Sequence, residues 1–597
     1  MNDLLYNEIV ATPGYVLDFA VGTTYSLDAE VFLALALSFG RLGEINSRDF
    51  DNPVRLLEGI RKVSSRVALF CNRGGFKVPA RSNPLFAMLD RCVFEVADEH
   101  RNHELANFHP KVWLIREHRA DNRLDRQLKL IVLSRNLTTD TSLDVALSMT
   151  AHLGHTAPAE VREKHAPLKE WLMRLADFAS AAKRRDILRL AGDIDKAALF
   201  ALDDRFCDYD FAPLHFGENL NGSLDPDVLM TGKKTIVVSP FVDSETLDRL
   251  NRAAKNSRVL ITRLESLSDD VMRRYAGSDG AEVWVPTALM SANDIAPMNL
   301  HAKMYYMENP PSQPAGSYLW LGSANATRSG FHRNSEFLVR LRYRRGISLF
   351  EKFKAEFCDP DKQMFERVLA LPEGAAPESA PDRLSIDLRC RFICRNNLSA
   401  KVVPRDDGSY EVLLASHRKC HSFAQITFAP LQAPHCVAEW NFETRGCTLG
   451  PLAAMQLSEF YILTATDLAD ATQTLSMVIK IPTAGIPRDR DDLIFQHYIS
   501  SPDKFIDYMA MIVSDTPQEM LSLMSAAADS AASGIAAADA RPANIAAMYE
   551  SLLRIAASDP ARLNDISDFI GRLDSAVIPA SFSGMYSQFR RALKELK

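Results

Sequence analysis

The chain has 597 residues, of which 47% are hydrophobic and 24% charged, with a net charge of -7. These are the proportions of a folded protein of three or four domains, and they exclude a disordered or fibrous chain. A net charge of this sign offers no general attraction to polyanions, so any nucleic-acid groove must be local. No stretch approaches the roughly 18 apolar residues that a membrane span requires. The N-terminal MNDLLYNEIV has early acids and no apolar core, unlike a secretory signal. Nine cysteines without a tight framework point to reduced thiols and a cytoplasmic location.

In chain order, 1–157 alternates strand-like and helix-like runs. VLDFAV, RVALFC, LKLIVLS and VALSMT read as strands. SLDAEVFLALALSF reads as a helix capped by Ser26, and a further helix is expected from Asn83 to Cys92. Near-continuous apolar strands alternating with helices predict a sheet covered on both faces. Residues 158–225 read as a helical connector, with the charge run of AAKRRDILRL on a solvated face. The grammar of the first lobe returns over 226–370: TIVVSPF, a helix SETLDRLNRAAK capped by Ser244, then RVLITR, AEVWVP, LHAKMYYM, YLWLGS and EFLVRLRY. The Pro-rich 371–383 reads as a linker. Short alternating runs predict a β-rich accessory domain over 384–490, and 495–597 reads as a helical interaction or scaffold module.

The chemistry sits in a duplicated pattern. FHPKVWLI carries His109 and Lys111, and LHAKMYYM carries His301 and Lys303, 192 positions later. Each pair is followed by a Ser-x-Asn set at the end of a strand-like run: Ser134 and Asn136, then Ser323 and Asn325. In a strand, residues i and i+2 share a face, so each His and Lys are expected to project together. Lysine supplies charge to phosphate oxygens, and Ser and Asn supply neutral donors. Duplication predicts two similar α/β/α sandwich lobes about a pseudo-twofold axis, meeting at one shared site.

These residues resemble the phospholipase D superfamily, whose hallmark is a repeated His-x-Lys-x4-Asp with a downstream Gly-Ser-x-Asn and a nearby Glu. The resemblance covers about 15–345. The second copy matches through His301, Lys303, Gly322, Ser323, Asn325 and Glu336, with Glu308 where the family has Asp. The first copy matches through His109, Lys111, Ser134 and Asn136. It departs at Arg116, in the Asp position, and at Leu133, in the Gly position, while Asp144 stands where the Glu would be. The resemblance implies a phosphodiesterase working through a covalent phosphohistidine, with His109 as nucleophile and His301 as acid and then base, or the two histidines in the reverse roles, and with Asp144 and Glu336 orienting the imidazoles. It implies no cofactor and no metal, because the lysines and asparagines hold the phosphate charge.

The substrate is open on sequence alone. Arg328, Arg333, Arg340 and Arg342 cluster near the second motif, and Arg340 and Arg342 share a strand face that could line a nucleic-acid track. No basic amphipathic helix with Trp or Phe on its apolar face points to a lipid surface. A nuclease is therefore expected, similar to bacterial defence enzymes, with a partner ATPase or helicase on the C-terminal region. A lipid hydrolase and an inactive scaffold that binds nucleic acid are the alternatives. Cys390, Cys394, Cys420, Cys436 and Cys447, with His417, His421 and His435, lack the close spacing of a zinc site and read as free thiols. TGKKT lacks the earlier Gly of a phosphate loop, and CNRGGF reads as a tight turn.

Overall fold

A computed structural model describes residues 8–595 apart from 40–52, 98–105, 141, 217–229, 255–256, 277–279, 288–298, 311–315, 345–346, 360–363, 372–396, 418–423, 469, 515–541 and 559. The first region contributes β1 (Tyr15–Thr24), β2 (Val67–Asn72), β3 (Val93–Val96), β4 (Val112–Arg119), β5 (Arg126–Leu133), β6 (Ser142–Leu143) and β7 (Ala146–His152). They form a six-stranded sheet in the order β3-β2-β1-β4-β5-β7, with β6 outside it. The second contributes β8 (Phe206–Leu214), β9 (Lys234–Val238), β10 (Arg258–Ile261), β11 (Ala281–Pro286), β12 (Asn299–Leu300), β13 (Met304–Glu308), β14 (Tyr318–Gly322), β15 (Glu336–Tyr343) and β16 (Phe365–Arg367). Its eight-stranded sheet runs β16-β11-β10-β9-β13-β14-β15-β8. Reading β9, β10, β11, β13, β14 and β15 for β1, β2, β3, β4, β5 and β7 reproduces the strand order. It also reproduces the directions: three parallel strands, then three antiparallel ones.

Period-two alternation explains why the strands are apolar throughout. Val112, Leu114, Leu130 and Val132 of the first sheet share a central core with Met304, Tyr306, Val339 and Leu341 of the second. Their neighbours Trp113, Ile115, Ile131 and Leu133 face an outer core. On the second sheet Tyr305, Met307, Trp320 and Leu338 do the same.

Four expectations are corrected. The helix read as capped by Ser26 begins at Ala29, and the Ser26 hydroxyl donates to the Gly75 carbonyl instead. Asp243, not Ser244, caps the helix Ser244–Leu250 by accepting the Thr246 N–H at 2.8 Å. The connector holds the helices Ala159–Leu175 and Ala181–Ile194, but its end forms the edge strand β8 on β15. On its charge run Lys183 is buried rather than solvated, donating to the Ser65 carbonyl at 2.7 Å.

In the accessory region two four-stranded sheets close on a core that includes Phe428, Trp440 and Tyr461. The C-terminal helices do not stand apart as a module. Phe505, Tyr508, Met548, Ile566 and Phe582 share one core with Phe32, Leu57 and Ile60 of the first region's helices. The linker over 372–383, the run over 385–394 and the Ala-rich 525–541 lie outside the described residues.

Candidate active site

The two His-x-Lys segments do not lie within strands. His109 and Lys111 precede β4, while His301 and Lys303 occupy the gap between β12 and β13. Irregular backbone frees their N–H groups for a partner other than the sheet, and both histidines find it in the opposite region. The His109 N–H donates to the Ser335 carbonyl at 2.8 Å, one residue before Glu336. The His301 N–H donates to the Leu143 carbonyl at 3.0 Å, one residue before Asp144. Beside the second contact, β12 pairs in parallel with β6.

The carboxylates cross with the same exchange. His109 Nδ1 lies 2.9 Å from Glu336 Oε2, and His301 Nδ1 lies 3.4 Å from Asp144 Oδ1. Each histidine is thus held at two points by the region it does not belong to, which leaves Nε2 as the ring nitrogen free for a substrate. The Ser134 hydroxyl donates to Asp144 at 3.0 Å and accepts the Val145 N–H at 2.9 Å. The Ser323 hydroxyl donates to Glu336 and accepts the Phe337 N–H at 3.0 Å. Both serines are fully buried, so they fix the carboxylates rather than offer donors to a phosphate as the sequence suggested.

Both lysines are buried and fold back on the carbonyl of their own histidine, Lys111 at 2.9 Å and Lys303 at 2.7 Å. Burial and mutual repulsion push Lys111 well below its ordinary value, and burial pulls Lys303 down to about 7. Burial, opposed by Glu336 and reinforced by Lys111, lowers His109 to about 4. Burial and Lys303 lower His301 to about 4. Burial also pushes the carboxyls up, but His109 and Lys111 outweigh it at Glu336, and His301 and Ser142 at Asp144, so both stay ionised. The charge of Lys303 is felt at His109 and that of Lys111 at His301, so the four side chains belong to one site.

The Ser-x-Asn loops rest on a second duplicated scaffold. The Leu137 N–H donates to Thr24 Oγ1 at 3.1 Å, and the Ala326 N–H to Ser239 Oγ at 2.9 Å. The Asp28 N–H reaches the Leu137 carbonyl at 2.8 Å, and the Asp243 N–H reaches the Ala326 carbonyl at 3.0 Å. One substitution breaks the match. Asn136 Oδ1 accepts the Tyr25 N–H at 3.3 Å, but Pro240 stands at the equivalent place and has no N–H, and Asn325 Oδ1 is buried without a partner among the described residues. Gly322 is also required by space: a Cβ there would lie 2.2 Å from the Phe337 carbonyl oxygen. Gly322→Ala should therefore displace Ser323 from Glu336 and lower kcat by about tenfold or more, measured on the folded fraction.

The remaining sequence candidates take other places. Glu308, in the family's Asp position, accepts from Tyr306 at 2.7 Å, Ser348 at 2.9 Å and the Phe350 N–H at 3.1 Å, at the start of the helix Phe350–Phe357. Glu308→Ala is expected to cost about 1–3 kcal/mol of stability in chemical denaturation, with the histidine pairs left in place. Arg116 lies 2.7 Å from Asp193 of the connector. Arg340 and Arg342 stand opposite Asp210 and Asp208 of β8 and pair with them, Arg342 at 3.2 Å. Those two arginines are matched by carboxylates, so the strand is no open basic track. Arg328 and Arg333 bracket the short helix Arg328–His332, and Arg328 is exposed.

Three neighbours of the site escaped the sequence reading. The Tyr25 ring lies 5.1 Å from the His109 ring. Asn72 Oδ1 accepts the Phe108 N–H at 2.9 Å, beside His109. Arg263 Nε donates to the Leu300 carbonyl at 2.8 Å, beside His301. Asn72 opens the CNRGGF turn, which is more than a turn: a Cβ on Gly75 would sit 2.1 Å from the Tyr25 carbonyl oxygen, and Phe76 bridges to Val478 of the accessory region. Among the described residues no three His, Cys, Asp or Glu side chains gather as a metal-binding group. Cys390, Cys394, Cys420 and His421 lie outside the described residues.

No protein-family profile matches the sequence, and no curated protein does. Among solved structures the chain is similar to yeast tyrosyl-DNA phosphodiesterase, at 13% identity over 58% of this chain and 86% of that one, with a TM-score of 0.34. It is similar to the phosphatidylserine synthase of Haemophilus influenzae, at 11% identity over 66% of this chain and 92% of that one, with a TM-score of 0.36. It is also similar to NucT from Helicobacter pylori, at 15% identity over 26% of this chain and 97% of that one, with a TM-score of 0.20.

Proposed function

We propose that the chain is a phosphodiesterase of the phospholipase D type that cleaves nucleic acid in the cytoplasm through a phosphohistidine. Two lobes, 1–157 and 226–370, related by a pseudo-twofold axis, would share the one site. The observation that carries this reading is the crossed pairing of His109 with Glu336 and His301 with Asp144. A pair of imidazoles, each held through Nδ1, gives one nucleophile and one proton carrier for a single phosphorus atom.

His109 has the closer carboxylate, which favours it as nucleophile. Its Nε2 lone pair forms the P–N bond while the P–O bond to the leaving group breaks, and the leaving oxygen takes the Nε2 proton of His301. Glu336 balances the positive charge left on the phosphorylated ring. Water then loses a proton to His301, its oxygen attacks phosphorus, and the P–N bond breaks to restore neutral His109. Lys111, Lys303, Asn136 and Asn325 hold the non-bridging oxygens. The entering phosphate anion raises His301 towards protonation, offsetting the burial that lowers it. No helix of the described residues is long and apolar enough to cross a membrane.

Incubation with labelled single- and double-stranded DNA, RNA and lipid vesicles, with chelator present, tests the reading. Nucleic-acid cleavage that persists in EDTA supports it, and release of a lipid headgroup alone would replace it. The pH profile provides a second check. The protonated form of His301 is lost above about 4 in the free protein, and Lys303 loses its charge above about 7, so kcat/KM should fall as pH rises and fall more steeply above about 7. His109 is neutral above about 4, so kcat/KM should also fall below that value as the nucleophile is protonated.

A further inference from the structure

Beside His301 stands a cation with no carboxylate paired to it among the described residues. Arg263 is fixed by its Nε hydrogen bond to the Leu300 carbonyl, and its guanidinium lies 5.0 Å from the centre of the Phe241 ring. Its charge is felt by Lys303, and it feels the carboxylates of Glu265 and Asp144 in turn, so it borders the histidine–lysine site. The strand arginines Arg340 and Arg342 differ, since both are matched by aspartates.

Phe241 is 48% exposed, yet its backbone is tightly held. The Phe241 carbonyl accepts the Ser239 hydroxyl at 2.7 Å, the Pro240 carbonyl accepts the Ser266 hydroxyl at 2.6 Å, and Val242 bridges to Ala326. The equivalent carbonyl in the first region, that of Ser26, accepts the Thr24 hydroxyl at 2.7 Å, so this position carries a ring in the second region and a serine in the first, where the neighbouring Tyr25 turns its ring towards His109 instead. A fixed, exposed aromatic face next to a guanidinium with no direct ion pair among the described residues suits a base stacked on the ring and a flanking phosphate on the cation. A duplex keeps its bases stacked on one another and can present an internal one to the ring only at the cost of unstacking and unpairing it.

We infer that Arg263 and Phe241 form a subsite for the nucleotide flanking the scissile phosphate on the His301 side, selecting single-stranded nucleic acid. The inference rests on the nuclease reading above and narrows its substrate. The experiment compares kcat/KM for a single-stranded oligodeoxynucleotide with kcat/KM for methyl p-nitrophenyl phosphate, which has no base and no second phosphate. Phe241→Ala should lower the ratio of the two about tenfold, and Phe241→Trp should restore it. Arg263→Gln should lower the ratio too, and should reduce the salt slope of oligonucleotide binding by about 0.7, while Phe241→Ala keeps the wild-type slope. A ratio unchanged in Phe241→Ala, with the wild type cleaving the oligonucleotide, overturns the subsite alone. A wild type that hydrolyses the small diester but no nucleic acid overturns the nuclease reading and the subsite together.

Discussion

His109→Ala should abolish turnover, with a loss on the order of 10⁴ to 10⁶ in kcat, because in the proposed mechanism His109 forms the bond to phosphorus. His301→Ala should behave differently. With a p-nitrophenyl diester the leaving group needs no proton, so the first displacement still proceeds. The second lacks its base, and water attacks slowly. The expected result is a burst of one p-nitrophenolate per protein, followed by slow release. The trapped phosphoryl group should be acid-labile and lie on a peptide containing His109. A burst in His109→Ala and none in His301→Ala would reverse the two roles. Loss of both bursts with folding intact would remove the covalent step from the mechanism.

Glu336→Gln is expected to lower kcat on the order of 10⁴-fold with far less effect on KM. Glu336 is fully buried and accepts from His109 Nδ1, Ser323 and Asn334. A carboxylate there keeps the ring proton on Nδ1 and the lone pair on Nε2. A carboxamide can turn its NH₂ towards Nδ1, which moves the proton to Nε2 and hides the lone pair. Asp144→Asn should act on His301 by the same route, but less strongly, since that contact is longer at 3.4 Å. Chemical shifts of the imidazole nitrogens report the tautomer directly. An unchanged His109 tautomer in Glu336→Gln, with activity retained, would remove the carboxylate from the mechanism.

Much of the site was legible because strands and motifs repeat in order. His109, Lys111, Ser134 and Asn136 fall at the edges of β4 and β5, and His301, Lys303, Ser323 and Asn325 at the edges of β13 and β14. Another repeated signal was readable but unused: TYSLD and SPFVD each place a hydroxyl residue four positions before an Asp, at the end of β1 and just after β9. Those are the residues that fasten the Ser-x-Asn loops. β8 was missed because its aspartates break an otherwise apolar run, and they make sense only opposite Arg340 and Arg342.

The sequence by itself determined that the candidate side chains come in two matching sets, because apolar periodicity and short spacings are local properties. Only the tertiary structure decided which carboxylate serves which histidine. His109 and Glu336 are 227 positions apart, and no local pattern reports a contact across that separation. It also turned Ser134 and Ser323 inward to the carboxylates, matched the strand arginines with aspartates, and brought Arg263 to the backbone beside His301 with its guanidinium on the Phe241 ring. Each of these outcomes depends on how two sheets pack face to face, which is settled by burial of the shared core and not by the order of residues near any one motif.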